Sequence, residues 1–375
     1  MTVHPLGRPL NAPAPEATAV PARPPRRRPS ARASVDTFRG ITILEVIIHH
    51  STGVALRHLD PGSGPYVAAE ILNRTLHFAV PAFVFLSALV LTRSLLRRYN
   101  LRRYALRRTM RAAWPYVLWT VLYALWYVWT EQRSPQSILD PEQWRSWLLY
   151  GKASFHLYFL LIALEVYAVL PLLVLVARRR PRIVDTLMVG IPLQIGIYFL
   201  NRYVLHLQFP TSSVLWYMLP LLLGVAVGAR LREFPQWWRE HRWGLIALML
   251  AVFAIYLPEA LKYLRTGRAT PVLFDALTWA YTTLVALNLL GLVWRMQLRP
   301  GRMQRALASL GIVSLQVYLL HPAVLQFLER WQPPRGSDAQ VVATLLAYLV
   351  VAIIVPALVA HALRRTPVSL LLFGR

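Results

Sequence analysis

Apolar residues gather into ten stretches separated by polar, mostly arginine-bearing segments. They cover residues 40–56, 76–92, 112–130, 155–177, 183–200, 214–229, 243–257, 272–294, 310–328 and 341–363. Most approach the roughly 17–25 residues that carry a helix across a ~30 Å hydrocarbon core. The stretches at 214–229 and 243–257 are short; each could extend by a turn, or one could be re-entrant. No internal repeat is visible. The pattern predicts an all-α fold, a polytopic integral membrane helix bundle of about ten transmembrane helices, over residues 35–365.

Composition agrees with this pattern. Of 375 residues, 56% are hydrophobic and 15% charged, with a mean hydropathy of +0.43; a soluble domain carries about a quarter charged residues. There is no Cys, which excludes disulfides, thiolate metal sites and a cysteine nucleophile. The net charge is +25, from 41 Lys+Arg against 16 Asp+Glu, and only Lys152 and Lys262 are lysines. Such a balance can mark a nucleic-acid partner, but the placement of the charges argues against one. With the N-terminus taken as cytoplasmic, 29 basic residues fall on the cytoplasmic side of the spans and 11 on the other, alternating loop by loop; Arg39 stands where the first span begins. Basic residues collect on the cytoplasmic side of membrane proteins, so both termini are predicted to be cytoplasmic, in the cell (plasma) membrane. Residues 1–34 are rich in Pro and Arg and read as a disordered cytoplasmic arm near anionic lipid headgroups. Residues 366–375 read as a short cytoplasmic tail.

Polar groups at membrane depth point to function, because each is costly unless paired or hydrated. The first span holds Glu45, His49 and His50. Arg39 and His50 are eleven residues apart, about three helical turns, so they share a face about 16 Å apart along the axis. Asp36 is three residues before Arg39 and close enough to pair with it. A fixed cation below a titratable imidazole suits a charged donor held beneath a reaction centre. The plainer alternative is a snorkelling arginine and a satisfied core histidine. Glu45 lies off that face and suits a partner on another helix. His156 and His321 fall in the outer halves of their spans and either converge on His50 or bond to backbone; His77 reads as an interfacial histidine. Pro322 follows His321 and frees a carbonyl one turn earlier. Residues 93–111 carry eight Arg, of which Arg103, Arg107 and Arg111 recur every four residues on one helical face. They serve orientation and anionic lipid, or a polyphosphate, which Arg binds bidentately. No metal-ligand spacing is visible.

Several strings now carry a resemblance. The first is Val35-Asp36-Thr37-Phe38-Arg39-Gly40-Ile41 leading to His50, and the second runs from Pro81 through Phe83, Phe85, Ser87 and Ala88 to Thr92. The third holds Arg107, Arg108, Arg111 and Pro115; the fourth is His156-Leu157-Tyr158-Phe159-Leu160; the fifth runs from Ser314 through Tyr318 to His321-Pro322. In this order they resemble the membrane-bound acyltransferase family 3, O-acyltransferases that modify polysaccharides, peptidoglycan and small secreted molecules. Ala88 and Leu89 stand where that pattern has Gly and Phe, and Tyr158 where it has Trp.

The resemblance implies acyl-CoA, acetyl-CoA foremost, as a cytoplasmic donor substrate, with no bound cofactor or metal. It implies an acceptor hydroxyl on a glycan or small molecule reached from the outer side. It marks Arg39 and His50 as the essential pair, with Arg108 and Arg111 as a further pair. In the resulting scheme Arg39, Arg107, Arg108 and Arg111 hold the CoA phosphates. The pantetheine arm threads the thioester inward, and His50 acts as general base or as a nucleophile. Asp36, Glu45, Ser87, His156, Tyr318 and His321 are expected in support, Ser87 as an oxyanion donor or merely a packing residue. The competing expectation is a polysaccharide or lipid-linked sugar exporter in which Glu45, His50, Glu165 and Asp275 relay protons.

Overall fold

The computed structural model describes residues 1–2, 31–298 and 300–374. Among these there is no strand. The helices are α1 (Ala31–His58), α2 (Gly64–Thr75), α3 (Ala79–Arg97), α4 (Leu101–Arg108), α5 (Trp114–Trp129), α6 (Pro141–Tyr150), α7 (Tyr158–Arg178) and α8 (Ile183–Leu200). They continue as α9 (Met218–Ala229), α10 (Phe234–Thr266), α11 (Pro271–Met296), α12 (Arg302–Ile312), α13 (Ser314–Trp331), α14 (Asp338–Leu363) and α15 (Pro367–Phe373). Nine of the ten apolar stretches centre on one helix each, α1, α3, α5, α7, α8, α9, α10, α11 and α14; the tenth, 310–328, runs from the end of α12 into α13. The expected N-terminal arm lies largely outside the described residues; Ala31 to Ser34, assigned to it from sequence, form the first turn of α1.

Among the described residues, six helical segments are long and apolar enough to cross a bilayer, and a seventh is added if α12 and α13, bent by 81°, count as one. The chain is therefore an integral membrane protein. The other stretches fall short of that criterion for visible reasons. Helix α1 carries Arg39, Glu45 and two histidines within its apolar run. Helix α9 has 12 residues, about 18 Å at 1.5 Å per residue, less than a hydrocarbon core.

Small residues set how closely the helices meet, as they do where packing in lipid has no hydrophobic drive. On α9, Gly224 and Gly228 lie against α3: a Cβ at either would stand 2.3 Å from the Phe85 carbonyl oxygen or 2.7 Å from that of Leu89. At the α1–α12 crossing, a Cβ on Gly40 would meet the Leu307 oxygen at 1.8 Å, and one on Gly311 the Asp36 oxygen at 1.7 Å. These backbones touch directly beside Arg39. The C-terminal tail is not loose. It forms α15, whose Phe373 is fully buried and stacks on Trp119 at 5.9 Å. The indole N–H groups of Trp114 and Trp119 donate to the Leu371 and Leu372 carbonyls, at 2.6 and 2.8 Å.

Candidate active site

Three cavities stand in file along α1. The first, about 960 Å³, opens at its N-terminal end and is lined by Arg32, Arg39, Arg93, Arg97, Arg98 and Arg364, with Asp36 as its one acidic residue. Cations so concentrated create a strongly positive potential suited to a polyanion. Asp36 stands 3.7 Å from Arg39. Gln316, at the start of α13, also faces this cavity; it is 2% exposed and its Oε1 has no partner.

The second is a chamber of about 190 Å³ farther along α1, lined by Glu45, His49, His50, His77, His156, Tyr158, Trp216, Tyr217, Trp279 and Tyr318 among others. His50 also borders the third, distal cavity of about 820 Å³, which opens among the far ends of α1, α2, α5 and α13. His49 and His50 both line the chamber and the distal cavity and together form the wall between them.

The histidines are ordered by hydrogen bonds. His321 Nδ1 lies 3.0 Å from the Val317 carbonyl oxygen, and His50 Nδ1 lies 2.9 Å from His321 Nε2. A carbonyl only accepts, so His321 Nδ1 carries the proton. In neutral imidazole Nε2 is then the acceptor, and it takes the proton of His50 Nδ1–H. His50 Nε2 is left with its lone pair. The rings lie 5.1 Å apart and 7° from parallel, with Phe155 edge-on to His50 at 4.8 Å. A base whose tautomer is fixed by a second group is the arrangement that general-base and nucleophilic catalysis need.

Supporting residues come from separate elements. The turn before α7 is tight because Gly151 adopts φ +67°, where any Cβ would strike Tyr158. It delivers His156 beneath α13. His156 Nδ1 pairs with Ser154 Oγ at 3.1 Å, and its Nε2 is buried without a partner. The Tyr318 hydroxyl donates to the His156 carbonyl. Tyr123 donates to the Leu319 carbonyl at 2.7 Å. Glu45 is 4% exposed; its carboxyl faces the N–H groups of Phe78 and Ala79 at the start of α3, but neither oxygen completes a hydrogen bond.

The structure brings His50, His156, His321, Tyr318 and Glu45 together, and places Arg39 and Asp36 on the arginine cavity. His77, read from sequence as interfacial, has its ring 5.3 Å from His49 on the chamber wall. Arg107 and Arg108 line a separate cavity of about 340 Å³ that shares Arg98 with the arginine cavity. Arg108 sits 5.3 Å over the Tyr167 ring and is an electrostatic neighbour of Arg39. Arg111 is exposed and, like Ser87, lines none of these cavities. Sequence reading missed Arg32, Arg364 and Gln316 at the cation cavity and the indoles of Trp216 and Trp279 in the chamber. Only Gln316 had a signal, its place five residues before His321. Among the described residues, no three His, Asp or Glu are grouped to hold a metal ion.

The histidine chamber and the cation-lined cavity thus lie along one helix of an apolar helical bundle. The family model described as "Acyltransferase domain" (acyltransferase 3) matches residues 32–361, and the chain belongs to that family of membrane-bound acyltransferases. It is an acyltransferase. No curated protein and no solved structure gives a significant match.

Proposed function

We propose that the protein moves an acyl group, acetyl foremost, from cytoplasmic acyl-CoA to a hydroxyl of a cell-envelope glycan or another exported acceptor. The arginine cavity takes the CoA phosphates, with Arg39 at its inner edge and Gln316 placed to meet a pantetheine amide. The thioester enters the histidine chamber, whose volume of about 190 Å³ suits a short acyl group. The acceptor arrives through the distal cavity. Ten crossings of the plasma membrane with both termini cytoplasmic place the arginine cavity inside and the distal cavity outside.

The observation that carries this reading is the hydrogen-bond order from Val317 through His321 to His50. In the reaction His50 Nε2 takes the acceptor hydroxyl proton as the oxygen attacks the thioester carbonyl. A C–O bond forms and the C–S bond breaks. The leaving CoA thiolate recovers the proton from His50, which returns to its starting state. Arg39 acts on the donor and not on the bond that changes.

Export driven by a proton relay is less well supported. Glu165 accepts from the Ser213 hydroxyl and the Val214 N–H, bonds that tie α7 to the segment before α9 instead of continuing a chain toward Glu45. The test is transfer of labelled acetyl from acetyl-CoA by purified protein in lipid vesicles. It is paired with mass spectrometry of surface glycans from cells with and without the gene product. Labelled, acylated acceptor is the expected result; glycan flux with no acyl-CoA requirement would reject the proposal.

A further inference from the structure

The distal cavity holds a charge that its own wall leaves unbalanced. Three guanidinium groups line it, on Arg57, Arg74 and Arg330. Arg57 is held by Glu329 at 2.8 Å, and Arg330 by Glu131. Arg74 makes no ion pair among the described residues. Its natural partner is Glu70, four residues earlier on α2, but Glu70 is fully buried and committed to Arg265, whose Nε lies 2.9 and 3.1 Å from its two oxygens. Arg74 donates one bond, from Nη2 to the neutral Asn73 side chain at 2.8 Å, while its Nε is buried with no partner.

Arg74 is also close to the reacting centre. The Asn73 carbonyl accepts from His49 Nδ1 at 3.0 Å, and the His49 and His50 rings are 5.5 Å apart. Asn73 and His49 therefore stand between the guanidinium of Arg74 and the imidazole of His50. A guanidinium partly withdrawn from water with no counter-charge is costly, and an anion beside it recovers part of that cost.

We propose that the acceptor is anionic: a hydroxylated compound carrying a carboxylate or phosphate near the hydroxyl that is acylated. Arg74, whose side chain lines the cavity without a counter-charge, takes the anion while the hydroxyl meets His50 Nε2. This deepens the proposed function and rests on its assignment of the distal cavity to the acceptor. Arg57 and Arg330 are engaged by their own glutamates and contribute field more than contact.

Binding tests this independently of turnover. Methyl β-glucuronide is compared with methyl β-glucoside, and glycerol 3-phosphate with glycerol, by ligand-induced thermal stabilisation of the full chain in nanodiscs. The charged member of at least one pair is expected to bind about tenfold more tightly, as a charge-assisted contact allows. Arg74→Gln should abolish that preference, and Arg74→Lys, which keeps the charge, should retain part of it. Equal binding within both pairs, or a preference that survives in Arg74→Gln, overturns the proposal. Nanodiscs of phosphatidylcholine alone and with added phosphatidylglycerol separate the sources of the anion. A preference that vanishes with phosphatidylglycerol assigns Arg74 to a lipid headgroup and also overturns it. Acyl transfer to the same probes is measured separately: intact charged binding without transfer counts against the reaction and leaves the Arg74 site standing.

Discussion

His50 and His321 lie in nearly parallel planes, 7° apart, with His50 Nδ1 2.9 Å from His321 Nε2. The contact assigns the two rings unequal work. In the proposed reaction His321, locked by a backbone carbonyl, positions, and His50, with the free nitrogen, reacts. Replacing His50 with Ala should lower kcat for acyl transfer by about 10²–10⁴-fold, the usual range for a positioned acid–base group. His321→Gln offers an amide oxygen to His50 Nδ1–H and should retain more activity than His321→Leu. The measurement is label transfer by membranes whose protein content has been verified. Full activity in His50→Ala would remove that residue from the chemistry.

Donor recognition should follow the arginine cavity. Arg39→Ala and Arg97→Ala are each expected to raise KM for acyl-CoA by about tenfold, the loss of one charge-assisted phosphate contact, with a smaller change in kcat. Arg108→Ala with Arg111→Ala should raise it less than Arg39→Ala with Arg97→Ala. Arg108 lines the neighbouring cavity and Arg111 is exposed. Steady-state kinetics on the two double variants ranks them directly.

The α1–α12 crossing should be intolerant of even one methyl group. At Gly311 or Gly40 a Cβ would fall within 2 Å of backbone oxygen, and backbone cannot rotate away as a side chain does. Either Ala substitution is expected to cost about 1–3 kcal/mol and to raise KM for acyl-CoA, since the helices must part beside Asp36 and Arg39. Gly244, with nothing within 4 Å of its would-be Cβ, is the control: Gly244→Ala should leave Tm unchanged or raise it slightly, as Ala favours helix.

An acid-sensitive contact ties the α7–α8 turn to the start of α10. The hydrogen bond from Arg230, with the charges of Arg230 and Arg180, holds the Glu233 carboxyl below its ordinary value. A depressed carboxyl stabilises the fold above its unfolded value, and the contribution is lost as pH falls through the folded one. The pair is exposed, so the effect is small and screened by salt. The Tm gap between wild type and Glu233→Gln should be present at neutral pH and shrink in acid or in high salt. A gap unchanged in acid would dissociate Glu233 from this role.

Much of the fold was legible because each apolar stretch had to bury or match lipid along its whole length. Breaks were harder to read. The 310–328 stretch looked continuous, yet Gly311 and its neighbours form the end of α12, and the chain turns by 81° before Ser314. Nothing in apolar periodicity marks such a bend. Residues 366–375 read as a short cytoplasmic tail, yet α15 packs Phe373 against Trp119, some 250 positions away in the chain.

The sequence by itself determined the helical class, the membrane setting and the placement of Arg39 and His50 on one helix, because these follow from local hydropathy and from the rise of a helix. Tertiary structure alone decided that His321 fixes the tautomer of His50, that Arg32, Arg93, Arg97 and Arg364 gather around Arg39, and that Arg265 takes Glu70 away from Arg74. Each of these relations joins residues far apart in the chain, and only the packing of helices on one another sets their distances and their unspent charges.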